Sequence, residues 1–116
     1  MKGTVKMGKL EKIEKFATKG KVDKLLSFLH DPDRQVCLRA IEALGGFTSQ
    51  IDVLGALAEM MDDGDVVQRK AAAESFASSE GSYAESVLMH RLEQETDAGV
   101  KEAMRESLAS IKSHTK

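Results

Sequence analysis

Residues 31–45 read Asp31-Pro32-Asp33-Arg34-Gln35-Val36-Cys37-Leu38-Arg39-Ala40-Ile41-Glu42-Ala43-Leu44-Gly45, and this stretch decides the fold. Pro32 has no N–H and biases Asp31 away from the right-handed helical region, so any helix arriving from upstream ends here. Asp33 suits an N-cap, because its carboxylate can accept from one of the orphan N–H groups of a new helix. Beyond it, Val36, Ala40, Ala43, Leu44 and Phe47 fall on one helical face. Upstream, Val22, Leu25, Leu26 and Leu29 follow i, i+3, i+4, i+7, which is the same kind of stripe. Two amphipathic helices meeting at a proline break make a helical hairpin.

The hairpin recurs. Asp33, Asp65 and Asp97 stand 32 residues apart, as do Glu42, Glu74 and Glu106, and Leu44, Phe76 and Leu108. Apolar character follows the same offset through Leu25, Leu57 and Met89, then Phe28, Met60 and Leu92, then Ala40, Ala72 and Met104. A fixed period of this length is the mark of stacked supersecondary units that bury one another's apolar faces. First helices are expected near 21–30, 50–62 and 82–95, and second helices near 34–45, 66–78 and 98–112. Asp65 with Gln68, and Ser82 with Glu85, have capping-box spacing, and Asp97 repeats the cap of Asp33. Gly45-Gly46 and Gly81 are expected as helix stops. Asp65 with Arg69 and Asp97 with Lys101 are spaced as i, i+4 ion pairs. Met60, Met89 and Met104 fall on core registers. Residues 9–19 form one further amphipathic helix, with Leu10, Ile13, Phe16 and Ala17 on one side and Lys12, Lys15 and Lys19 on the other. The expected organisation is a capping helix with a basic tail over 1–20, then three hairpins within 21–113, at 21–46, 50–80 and 82–113.

The segment 31–45 resembles the HEAT-like repeat family, including the repeats of phycobilisome lyases, whose pattern is similar to D-P-D-x-x-V-R-x-x-A-x-E-A-L-G. Cys37 departs from it where a basic residue is expected, and Arg69 and Lys101 restore that residue in the later units. The resemblance implies an all-α fold, a short right-handed superhelix of about seven helices whose second helices line the inner, concave face. On that reading the inward-looking residues are Gln35, Leu38 and Glu42, then Val67, Lys70 and Glu74, then Glu102, Arg105 and Glu106. The three glutamates at one register form an acidic stripe suited to a basic protein segment, although glutamate also belongs to the generic repeat. Asp33, Asp65 and Asp97 are assigned a structural role as caps.

Other function classes find less support. The 116 residues are 41% hydrophobic and 31% charged, which suits one globular core and neither a disordered chain nor a membrane-spanning one. Met1 to Leu10 has no apolar run of the secretory kind, so a cytoplasmic location is expected. One cysteine excludes an internal disulfide. Residues 1–24 carry a net +5 and the remainder −7, so a nucleic acid or an acidic surface drawn to Lys2, Lys6, Lys9, Lys12, Lys15 and Lys19, the alternative reading, meets a repelling body. Without Trp, and with four Phe and one Tyr, bases have little to stack on. Iron-binding members of the family use His-Glu pairs, but His30, His90 and His114 precede Asp, Arg and Thr and occupy different registers, so no metal or other cofactor is expected. A lyase-like enzyme subunit would need a tetrapyrrole groove, for which the array is short. The expectation is a monomeric, non-enzymatic scaffold that holds a protein or peptide on its second helices.

Overall fold

The computed structural model describes residues 4–115, and the side chains of residues 8–112. Among these residues are seven α-helices and no strand. α1 spans Thr4–Lys19, α2 Val22–Ser27, α3 Arg34–Leu44, α4 Ile51–Asp63, α5 Val66–Ser75, α6 Ser82–Gln94 and α7 Ala98–Thr115. Three of them tighten into 3-10 turns, Phe28–His30 after α2, Gly45–Phe47 after α3 and Phe76–Ser78 after α5.

The starts of α3, α5 and α7 follow from local chemistry. Asp33 accepts from the Gln35 N–H at 3.0 Å, and its own carbonyl opens α3 by accepting from Cys37. Asp65 and Gln68 close a capping box at 2.8 and 3.0 Å. Asp97 accepts from the Val100 N–H at 3.0 Å. The fourth expected cap does not form. Ser82 is already inside α6, and the N-cap is Gly81, whose φ of 99° is open to glycine and strained for other residues. Gly81 therefore starts a helix instead of stopping one, and Gly45-Gly46 continues α3 as a 3-10 turn.

The helices form two layers. α1, α3, α5 and α7 pack side by side in that order, while α2, α4 and α6 lie across them and stand further apart from one another. The slab measures 50 × 28 × 17 Å, and its least dimension fits two helix layers. Ile13, Leu25, Ile41, Leu44, Leu57, Phe76, Leu88, Met104 and Ile111 are fully buried between them. Leu44 and Phe76 are thus core residues as expected, with Leu108 half-buried against the same cluster. At the chain's start, Phe16 of α1 stacks on Phe28 with centroids 6.3 Å apart. Lys9–Asp31 and Arg39–Glu14 tie α1 to the first hairpin, each at 2.9 Å.

Hydroxyl groups bridge the close-packed layer at a constant stagger. Ser75 Oγ lies 3.1 Å from the Ile41 carbonyl, and Ser107 Oγ 2.7 Å from the Ala73 carbonyl. One turn on, Ser78 donates to Gly45 O at 2.8 Å and Ser110 to Ala77 O at 2.7 Å. Donors and acceptors in both series are 32 residues apart, so each second helix is held against its predecessor in one register.

The other layer departs from that period. α4 and α6 have 13 residues each but begin at Ile51 and Ser82, a step of 31. Thr96, between the C-cap Glu95 and the N-cap Asp97, restores the missing residue; α4 passes directly from C-cap Gly64 to N-cap Asp65. Leu88, and not Met89, consequently takes the place of Leu57. Met89 is 51% exposed, which corrects its assignment to the core, while Met104 is buried and Met60 half-buried.

Candidate functional site

The faces of α3, α5 and α7 that point away from α2, α4 and α6 collect the residues singled out from the repeat. Gln35, Glu42, Val67, Lys70, Glu74, Glu102, Arg105 and Glu106 are all exposed, and Leu38 is half-buried against the core. An alternating helical pattern forces this arrangement, since Val36, Ala40, Leu44 and their counterparts turn the opposite side inward. Glu42, Glu74 and Glu106 occupy one register on three adjacent helices. Glu42 has Arg39 3.8 Å away, whereas Glu74 and Glu106 have no ion-pair partner among the described residues. Arg105 leans to Glu102 at 3.7 Å. Val66 and Val67 add 43% and 47% exposed apolar side chains at the start of α5.

The described N-terminal lysines belong to α1, away from that row. Lys9 is held by Asp31, Lys12, Lys15 and Lys19 are exposed along α1, and Lys2 and the side chain of Lys6 lie outside the described residues. His30 and His90 are exposed on different hairpins, and the side chain of His114 is outside the described set. Among the described residues no three His, Cys, Asp or Glu side chains converge as metal ligands. Cys37 is buried, its thiol donating to the Leu29 carbonyl at 3.3 Å; burial pushes the thiol's pKa up, with the Gln68 amide opposing.

Comparison with known families bears on this architecture directly. Residues 22–109 match the family described as HEAT repeats. The chain belongs to the HEAT-repeat family. Comparison with curated proteins and with solved structures finds no match. HEAT repeats generally serve as scaffolds for protein interaction, and among the described residues of this HEAT-repeat protein no helix is long and apolar enough to cross a membrane.

Two ion-pair clamps were not anticipated. Arg69 grips Glu95 through Nε at 2.9 Å and Nη2 at 2.8 Å, and also donates to Gly64 O at 3.1 Å. It therefore does not spend its guanidinium on Asp65, the i, i+4 partner its spacing indicates. Arg91 grips Asp62 in the same bidentate way at 3.1 and 2.7 Å. Both join the second hairpin of the HEAT array to the third. The Glu95 carboxyl is held below the ordinary glutamate range chiefly by Arg69, with the Asp97 N–H assisting against the effect of burial. The clamps link residues 26 and 29 positions apart, which no local spacing rule reports; the serine series was missed as well, although the 32-residue offset of Ser75 with Ser107 and of Ser78 with Ser110 is a signal that points to it.

Proposed function

We propose that this HEAT-repeat chain is a monomeric adaptor that binds a protein or peptide on the face of α3, α5 and α7, with no chemistry of its own. The observation that carries the reading is the Glu42, Glu74 and Glu106 row, one carboxylate per helix, exposed on helices that pack side by side. Such a row favours a partner segment with basic side chains at the inter-helix spacing of roughly 8–10 Å. Val66 and Val67 offer the same segment an apolar contact at one edge.

The test is capture from native cell extract, comparing the natural chain with Glu42→Lys/Glu74→Lys/Glu106→Lys. Loss of one stoichiometric protein partner, with helicity and melting temperature unchanged, supports the reading; undiminished capture removes it. The finer likeness of residues 31–45 to the repeats of phycobilisome lyases concerns the repeat pattern alone. Visible absorbance by the purified protein would bring pigment chemistry back into consideration.

A further inference from the structure

The two boundaries between hairpins differ in the outer layer, and the difference marks a second site. At the boundary of α4 with α6, the opening is bridged by the Arg91–Asp62 and Arg69–Glu95 clamps. The corresponding residues at the boundary of α2 with α4 follow from the two registers. Arg91 and Glu95 correspond to Met60 and Gly64 by the 31-residue step, and Arg69 and Asp62 to Cys37 and His30 by the 32-residue one. None of these four makes an ion pair among the described residues. The opening is left as a groove of about 390 Å³ floored by Leu26, Leu29, Ala56 and Met60.

Its rim is charged with one sign. Asp52, Glu59 and Asp63 project from α4 at i, i+7 and i+11, all exposed, and no ion-pair partner for any of them occurs among the described residues. They fall on a line of roughly 16 Å, three helical turns. At the same positions α6 carries Tyr83, His90 and Gln94, and of the three carboxylates only Asp63 has a counterpart one unit earlier, Asp31, which is paired with Lys9 at 2.9 Å. Asp63 moreover sits in the last turn of a helix with no basic residue there, where the helix dipole disfavours an anion. A local charge rule broken without an internal partner points to a partner outside.

We propose that the groove between α2 and α4 binds a basic amphipathic helix of a partner protein. The helix's apolar side chains lie on Leu26, Leu29, Ala56 and Met60, and its lysines or arginines pair with Asp52, Glu59 and Asp63. The partner's cations do at this boundary what Arg69 and Arg91 do at the next. This site faces the opposite side from Glu42, Glu74 and Glu106 and does not depend on them.

The probe is a labelled synthetic peptide of leucine and lysine, leucines on one helical face, read by fluorescence anisotropy with the full chain. A leucine and glutamate peptide of identical spacing is the control. The natural chain is expected to bind the lysine peptide at least about tenfold tighter than the glutamate one. Asp52→Lys/Glu59→Lys/Asp63→Lys should invert that preference, and His30→Asp/Met60→Arg, which builds the neighbouring clamp into the groove, should abolish binding without lowering the melting temperature. Glu42→Lys/Glu74→Lys/Glu106→Lys should leave the affinity as it is. The proposal falls if polylysine without leucine, or spermidine, binds as tightly, or if the variant on the other face is the one that loses the peptide. Should the clamp variant unfold, amide chemical-shift changes in the natural chain decide: changes on α2 and α4 support the site, and changes elsewhere overturn it.

Discussion

Arg69 and Glu95 show how much one pair contributes when it is nearly withdrawn from water. Their side chains are 20% and 5% exposed, and the carboxylate is also bound by the Asp97 N–H. Removing the cation leaves a buried charge, so Arg69→Met is expected to cost about 2 kcal/mol in urea unfolding, more than the loss of an exposed pair. The pH dependence follows from the depressed Glu95 pKa. Stability from the pair is complete at and above the ordinary glutamate range, and is lost as pH falls through the lower, folded-state value. Glu95→Gln should therefore flatten the acid limb of the stability curve, which acid titration followed by circular dichroism would show. An unchanged acid limb would mean that other carboxylates set it. Cys37 occupies the Arg69 register in the first unit, where a thiol bound to the Leu29 carbonyl makes no such clamp.

At the scale of the element, the starts of α3, α5 and α7 were legible because an aspartate N-cap acts within its own four residues. The start of α6 was placed at Ser82, as the structure has it, but its cap was misassigned. Ser82 and Glu85 have the spacing of a capping box, but the backbone turns one residue earlier, at Gly81, and carries Ser82 into the first helical turn. Asp65→Ala is accordingly expected to cost about 1 kcal/mol, whereas Ser82→Ala should be close to neutral. Gly81→Ala should cost about 2 kcal/mol, since a Cβ at φ 99° strains the backbone even though nothing crowds it. Thermal unfolding of the three variants ranks them; a Ser82→Ala loss equal to that of Asp65→Ala would contradict the assigned caps.

For the molecule as a whole, the recurrence was readable in one layer and blurred in the other, for a physical reason. Helices in close contact tolerate no slip, so the second helices keep the 32-residue offset along their packed faces, and the serine hydroxyls of α5 and α7 keep it too. The first helices stand further apart, and the one-residue shift of α6 left an apolar residue, Met89, at the expected position while Leu88 took its role. The face of Glu42, Glu74 and Glu106 was visible because it repeats. The groove beside α4 was not, because its character lies in what fails to repeat, and that is seen only when two boundaries are set against each other.

The serine series also makes the array extensible. Because Ser75 and Ser78 seek the carbonyls at the positions of Ile41 and Gly45, which Ala73 and Ala77 reproduce one unit later, a duplicated segment 50–81 placed after Gly81 meets the acceptors it needs on the copy before it. Such a lengthened chain should keep its helicity per residue and grow along one axis by roughly 10 Å, the distance between packed helices, as small-angle scattering would record. Growth in all directions, or lost helicity, would show that the hydroxyls follow the packing and do not dictate it.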